Sequence, residues 1–174
     1  MLVCSNDPDS TRAIAAAVAS VARAGDVILL SGDMGSGKTV FAQGFGRALG
    51  VTEPMTSPTF TLVNSYDCGR LALHHADLYR LDRTGEVADL ALAELADLSG
   101  ILLVEWGEAA ATVVRDHLAV RLEPIDDELT DAGTGADDAV DLGPMGREIE
   151  VVATGPGWVT RWDRLVAALG EWAC

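Results

Sequence analysis

The sequence predicts an α/β fold: one domain spanning 1–174, with a mixed central sheet and helices on both faces. Three observations predict it. The apolar run Val27-Ile28-Leu29-Leu30 precedes a glycine-rich loop, and Val40 to Leu49 then carries Phe41, Phe45 and Leu49 on one helical face. A second run, Ile101-Leu102-Leu103-Val104, is continuously apolar, as strands buried on both faces of a parallel sheet are. Leu118–Leu122 and Glu148–Val152 alternate like half-exposed strands and are expected to pair as a hairpin.

Taken in order, Asp9-Ser10-Thr11 offers caps for a first helix in which Ile14, Ala17, Val18 and Val21 recur at helical spacing, with Gly25 placed to end it. Val27–Leu30 is the first strand. Gly50 suits the C-cap of the helix that follows the glycine loop. A loop from Glu53 to Pro58 leads to a strand over Thr59–Val63, and the turn Asp67-Cys68-Gly69 returns the chain through Leu71–Ala76 as an antiparallel hairpin. Val87 to Asp97 reads as helix, with Leu90, Leu92 and Leu95 apolar. The last segment, from Thr160, places Trp162, Leu165, Val166, Leu169 and Trp172 on one face of a terminal helix, the tryptophans as core or packing residues. No internal repeat and no second domain are evident.

Composition narrows the function classes. A chain of 174 residues, 49% apolar, can bury a full core, yet no apolar run approaches the ~20 residues of a membrane span. The N-terminus lacks the basic and apolar regions of a secretion signal, so a cytoplasmic location is expected. Cys4, Cys68 and Cys174 are odd in number and match no metal-ligand spacing, which favours reduced thiols. Net charge is −15, and from Glu123 to Leu142 acids recur without a Lys or Arg. That stretch reads as a disordered, solvated excursion over about 124–146. So acidic a chain is a poor direct ligand for a phosphate backbone, and any link to nucleic acid needs basic partners.

The chemistry is concentrated in Gly32-Asp33-Met34-Gly35-Ser36-Gly37-Lys38-Thr39, a complete G-x-x-x-x-G-K-[ST] phosphate-binding loop holding the only lysine of the chain. With its strand before and helix after, it makes the predicted fold P-loop NTPase-like. The glycines let successive N–H groups turn inward as an anion nest at a helix N-terminus. Lys38 adds a compact mobile charge, and Thr39 a hydroxyl suited to Mg²⁺. The dinucleotide alternative fails on spacing, because no third glycine follows at G-x-G-x-x-G.

Such a loop needs a carboxylate at a neighbouring strand end to hold Mg²⁺ and to position the attacking group. Glu105 ends the second apolar strand and is assigned to the metal; Asp77 ends the hairpin and is assigned to the water or phosphate end of catalysis. His74 and His75 are consecutive and point to opposite faces of a strand, so they do not share a metal. Thr59, in a Pro-stiffened loop, sits where switch-type NTPases sense the terminal phosphate. A guanine motif of the N-K-x-D type needs a second lysine, so ATP is expected.

Together, the phosphate loop, Ser57-Pro58-Thr59-Phe60-Thr61-Leu62-Val63, His75-Ala76-Asp77-Leu78-Tyr79-Arg80-Leu81 and Val104-Glu105-Trp106 resemble the bacterial TsaE (YjeE) family from about Asp9 to Glu108. The resemblance implies a small Mg-dependent ATPase needed to make N6-threonylcarbamoyladenosine at position 37 of tRNAs reading codons that start with A. It would act with the TsaD–TsaB pair and meet tRNA only through that complex. It also implies that Met34, Gly35, Ser36, Gly37, Lys38 and Thr39 bind phosphates, that Thr39 and Glu105 hold Mg²⁺, and that Lys38 and Asp77 serve hydrolysis. Thr59, Tyr79 and Trp106 occupy motif positions, and Thr11 is implied to approach the adenine. Where family members often read E-W-P, this chain has Glu105-Trp106-Gly107. Two other readings share the loop. One is a small-molecule kinase, for which Arg80 and Arg83 would serve as lid arginines; the other is a nucleotide-gated binding module with incidental hydrolysis.

Overall fold

The computed structural model describes residues 1–79, 100–108, 110–125 and 146–174. The expected helix at Val87–Asp97, the lid arginines Arg80 and Arg83, and the acidic run from Asp126 to Asp141 lie outside the described residues. In chain order the elements are β1 (Leu2–Ser5), α1 (Pro8–Val21), β2 (Val27–Ser31), α2 (Lys38–Leu49), β3 (Val63–Asp67), β4 (Ala72–Asp77) and β5 (Gly100–Glu105). A 3₁₀ turn at Ala110–Thr112 leads to β6 (His117–Pro124), β7 (Arg147–Thr154), α3 (Pro156–Val159), α4 (Trp162–Leu169) and a final 3₁₀ turn at Gly170–Trp172.

Among the described residues the sheet has seven strands in the order β1-β7-β6-β2-β5-β4-β3. Strands β4, β5, β2 and β6 run parallel, while β3, β7 and β1 are antiparallel to their neighbours. The sheet is thus mixed, as expected; β6 pairs with β7 as expected, while the strand paired with β4 is Val63–Asp67 in place of the expected Thr59–Val63. All of β5 is buried, matching its unbroken apolar run. The larger core lies on the face covered by α1, α2 and α4, where Ile14, Val18, Phe41, Phe45, Leu165 and Leu169 meet Ile28, Leu30, Ile101 and Leu103. On the opposite face Val27, Leu29, Leu102, Val104, Ala76 and Leu78 pack with Ala110 of the first 3₁₀ turn.

The structure moves several boundaries. Helix α1 begins earlier than expected: Asp7 is the cap, its Oδ1 accepting the Ser10 N–H at 2.7 Å while Ser10 Oγ accepts the Asp7 N–H at 3.1 Å. This is a capping box with serine in the third helical position, and Pro8 supplies the fixed φ of the first turn. Thr59–Leu62 is a turn rather than a strand. The Leu62 N–H bonds the Pro58 carbonyl at 2.7 Å, and Leu62 has a φ of 64°. Strand β1 has no counterpart among the elements expected from the sequence. It pairs with β7 and closes the sheet edge.

That edge also corrects the reading of the cysteines. Cys4 and Cys174 form a disulfide with their Cα atoms 5.3 Å apart, and Cys68 is the free thiol. The two chain ends meet because β1 lies on the edge and Val3 bridges Ala173, a proximity that cysteine spacing along the sequence does not encode.

The start of β2 is anchored by a buried ion pair. Arg161 lies on Asp26 with Nη1 to Oδ2 at 2.8 Å and Nη2 to Oδ1 at 2.6 Å. Its Nε donates to the Gly157 carbonyl, and its guanidinium lies 4.3 Å from the Trp158 ring centre. Trp158 is fully buried, while Trp162 and Trp172 pack partly buried against the core.

Candidate functional site

The phosphate loop runs from the end of β2 to the start of α2, at the carboxyl edge of the parallel strands, where open α/β sheets gather ligands. Gly32, Gly35 and Gly37 all have positive φ, at 127°, 81° and 104°. Gly32 is also sterically required, because a Cβ there would collide with the Leu122 backbone carbonyl; at Gly37 a Cβ would meet the movable Arg147 side chain, 2.7 Å from its Nε. Gly37 caps α2 without a side-chain hydrogen bond, which leaves the first-turn N–H groups of the helix for an anion.

Lys38 is buried. Its Nζ donates to the carbonyls of Gly32 at 2.7 Å and Asp33 at 2.8 Å, and it lies 3.9 Å from the Trp106 ring centre. Burial pushes the Lys38 ammonium below its ordinary pKa, against the opposing pull of Glu105, Glu108, Asp77 and Asp33. Trp106 adopts a φ of 59°, and its ring packs on Tyr79 with centroids 5.0 Å apart. Left-handed backbone at a non-glycine residue is costly and concentrates at functional sites. Next to it the Gly107 N–H donates to the Leu30 carbonyl at 3.0 Å, a bond that the proline of E-W-P could not make.

Parallel pairing of β4 with β5 sets Asp77 opposite Glu105, so the two candidate carboxylates stand side by side at strand ends. Both are buried. The Thr39 hydroxyl lies 3.0 and 3.1 Å from the two Glu105 oxygens. His75 Nε2 lies 2.9 Å from Glu105 Oε1, and since an ionised carboxylate only accepts, the proton of that bond is on Nε2. His74 points the other way, its Nδ1 2.8 Å from Ser65 Oγ, so the two histidines are separated as expected. On Asp77, Oδ2 accepts from both Ser57 Oγ and Thr59 Oγ1 at 2.7 Å, and Oδ1 accepts the Tyr79 N–H at 2.9 Å.

These groups surround one cavity of about 430 Å³, lined by Met34, Gly35, Gly37, Lys38, Thr39, Thr59, Asp77 and Glu105 together with Ser57, Tyr79, Trp106 and Arg147. Ser36 is buried beneath it, its hydroxyl without a partner among the described residues. The structure does not bring Thr11 to this cavity. Thr11 is fully buried, its hydroxyl 2.9 Å from Ser5 Oγ and 3.1 Å from the Asp7 carbonyl. A larger cleft of about 780 Å³, lined by Asp9, Arg12, Gln43 and Arg47, includes no phosphate-loop residue and none of the expected site residues.

The donor set suits a hard divalent cation: a hydroxyl and a carboxylate within hydrogen-bond reach of each other, beside a cradle of N–H groups. Mg²⁺ typically takes one or two carboxylates and draws its remaining ligands from water and substrate phosphates. Thr39 and Glu105 would hold it. Three residues of the site went unassigned from sequence. Ser57 and His75 each hold a carboxylate already assigned, and the signal for them was adjacency to the Thr59 and Asp77 motifs. Arg147 reaches in from β7, far along the chain, with no local motif to mark it.

The family profile described as threonylcarbamoyl adenosine biosynthesis protein TsaE matches residues 5–131. The chain belongs to the TsaE family. Among TsaE proteins, one from Bacillus subtilis is 46% identical over 100 residues, covering 58% of this chain and 62% of the relative. One from Mycobacterium tuberculosis H37Rv is 42% identical over 113 residues, covering 59% and 66%. Each alignment thus spans slightly under two thirds of the relative's length. Both relatives carry the name tRNA threonylcarbamoyladenosine biosynthesis protein TsaE. The crystal structure of Bacillus subtilis YdiB superposes with a TM-score of 0.70 at 30% identity, over 98% of this chain and 94% of that one. The TsaE match contains the phosphate loop, Thr59, Asp77 and Glu105, and stops short of Arg147.

Proposed function

We propose that this protein binds ATP with Mg²⁺ at the phosphate loop and hydrolyses it, slowly alone and faster with partners, in support of threonylcarbamoylation of adenosine 37 in tRNAs reading ANN codons. The partners are the TsaD and TsaB proteins, tRNA is met only through their complex, and the location is cytoplasmic. The observation that carries the reading is the convergence of Lys38, Thr39, Asp77 and Glu105 on one cavity at the N-terminus of α2. Family membership supplies the tRNA pathway.

In this reading the loop N–H groups and Lys38 hold the β- and γ-phosphates. Thr39 and Glu105 would hold the cation, which would supply neutralising charge for the phosphates. Lys38 leaves the Gly32 and Asp33 carbonyls to follow the terminal phosphate, and Trp106 limits where its ammonium can go. Asp77 orients the attacking water. Ser57 and Thr59, which now occupy Asp77 Oδ2, give up that oxygen as the loop turns to the nucleotide, which makes the loop a reporter of the bound state. The acidic charge of the chain is consistent with leaving tRNA contacts to basic partners.

The test is ATP turnover by the purified protein, alone and with TsaD–TsaB added. Strong stimulation supports the reading. No response, with phosphate instead transferred to a small metabolite, would replace it with the kinase alternative.

A further inference from the structure

We propose that Cys4 and Cys174 form a reversible thiol–disulfide exchange site, through which low-molecular-weight disulfides and thiols lock or release the final turn over the β1 edge of the sheet. Neither cysteine lines the phosphate-loop cavity. Strand β1 is the outermost strand of the described sheet, and Val3 pairs inward with Ile149 of β7 and outward with Ala173. The final 3₁₀ turn and the residues after it therefore cover this edge. The isolated Val3–Ala173 bridge and the partly buried Trp172 hold the cover noncovalently; the Cys4–Cys174 bond holds it covalently. Cys68 lies outside the device, on the turn between β3 and β4 at the opposite end of the sheet.

The bond is open to a small thiol. Successive side chains of a strand point to opposite faces, and since Val3 and Ser5 are fully buried, Leu2 and Cys4 face the other way, where Leu2 is 40% exposed. Cys4 is half-buried and Cys174 exposed. Exposed disulfides are the labile ones, and cytoplasmic thiols keep them reduced until the disulfide fraction rises. In the location proposed above, the site is a dithiol at rest and closes on oxidation. The thiolate of the more exposed Cys174 attacks a sulfur of a disulfide RSSR, whose S–S bond breaks as RS⁻ leaves with the electron pair. The Cys4 thiolate then attacks the Cys174 sulfur of the mixed disulfide, forming the Cys4–Cys174 bond and expelling the second RS⁻. The two cysteine protons end on two RSH, so the protein dithiol is oxidised and RSSR reduced; excess RSH reverses both steps. The bond joins residues 170 positions apart, so closing it constrains nearly all of the unfolded chain and stabilises the folded one. Opening it frees the β1 edge, and an open strand edge is a template for pairing with another chain.

The test is to equilibrate the protein in glutathione buffers from fully reduced to fully oxidised, quench by alkylation and count free thiols by mass, with melting and hydrogen exchange on parallel samples. The Cys4 and Cys174 thiols should disappear together as an intramolecular bond and return when reduced glutathione is restored. Closure should raise the melting temperature by about 5 °C or more, and should slow exchange in β1 and in residues 170–174 while α2 stays unchanged. Cys68→Ser should keep the whole response. Cys4→Ser and Cys174→Ser should each abolish it; if either fails to fold, the unaltered protein in excess reduced glutathione supplies the open state. A pair that stays reduced in oxidised glutathione, stays closed in excess reduced glutathione, or closes only between two molecules would overturn the proposal. So would closure that leaves melting and exchange unchanged.

Discussion

The Thr39 hydroxyl meets the Glu105 carboxylate at 3.0 Å, although the two residues are 66 positions apart. One comes from the first turn of α2 and the other from the end of β5, and parallel pairing of β2 with β5 brings them together. If this pair is the metal seat, Glu105→Gln should lose the Mg²⁺ dependence of ATP binding. Affinity in saturating Mg²⁺ should fall by about tenfold or more, the cost of removing one charged ligand. Titration of ATP with and without Mg²⁺ checks this, and an unchanged Mg²⁺ effect would assign the metal elsewhere.

Asp77→Asn should separate binding from chemistry. The amide keeps the size of the side chain, so ATP should bind with near-native affinity, whereas partner-stimulated turnover should drop by about 100-fold or more, as loss of a positioned proton acceptor does. Full turnover would mean that Asp77 only anchors the loop through Ser57 and Thr59.

A pH dependence follows from Lys38. Burial lowers its pKa below 10.5 in the free protein, and phosphates favour the charged form, so a bound nucleotide raises it. Affinity is then fully present below the free-state pKa, begins to decline there, and is lost as pH rises through the higher bound-state pKa. ATP affinity measured across alkaline pH should start to fall before 10.5, and a flat profile to beyond that value would contradict the direction.

Stability should depend on an ion pair remote from the cavity. Asp26→Ala leaves Arg161 buried without its carboxylate and should cost about 3–5 kcal/mol, read from denaturant unfolding. A change under about 1 kcal/mol would show that the Gly157 and Val21 carbonyls satisfy Arg161 unaided.

Most of the fold and the heart of the site were legible because their signals are local. The runs Val27–Leu30 and Ile101–Val104 are apolar in every position, and the loop between Gly32 and Thr39 encodes its own geometry. What escaped depends on contacts distant in sequence. Strand β1 exists because β7 offers it an edge, and the Cys4–Cys174 bond follows from that pairing. Thr59–Leu62 has strand-forming residues, but Asp77 draws Ser57 and Thr59 into a turn. Arg147 is one arginine among many in the sequence. Only the register of β6 with β7 sets it beside Gly37.

The most direct test of the nucleotide site is calorimetric titration of Mg-ATP into the protein and into Lys38→Ala, with folding of both verified by thermal melting. Saturable one-to-one binding that Lys38→Ala abolishes is the predicted result. Equal affinity in the two proteins would contradict the account, because the only lysine of the chain would then have no part in holding the phosphates.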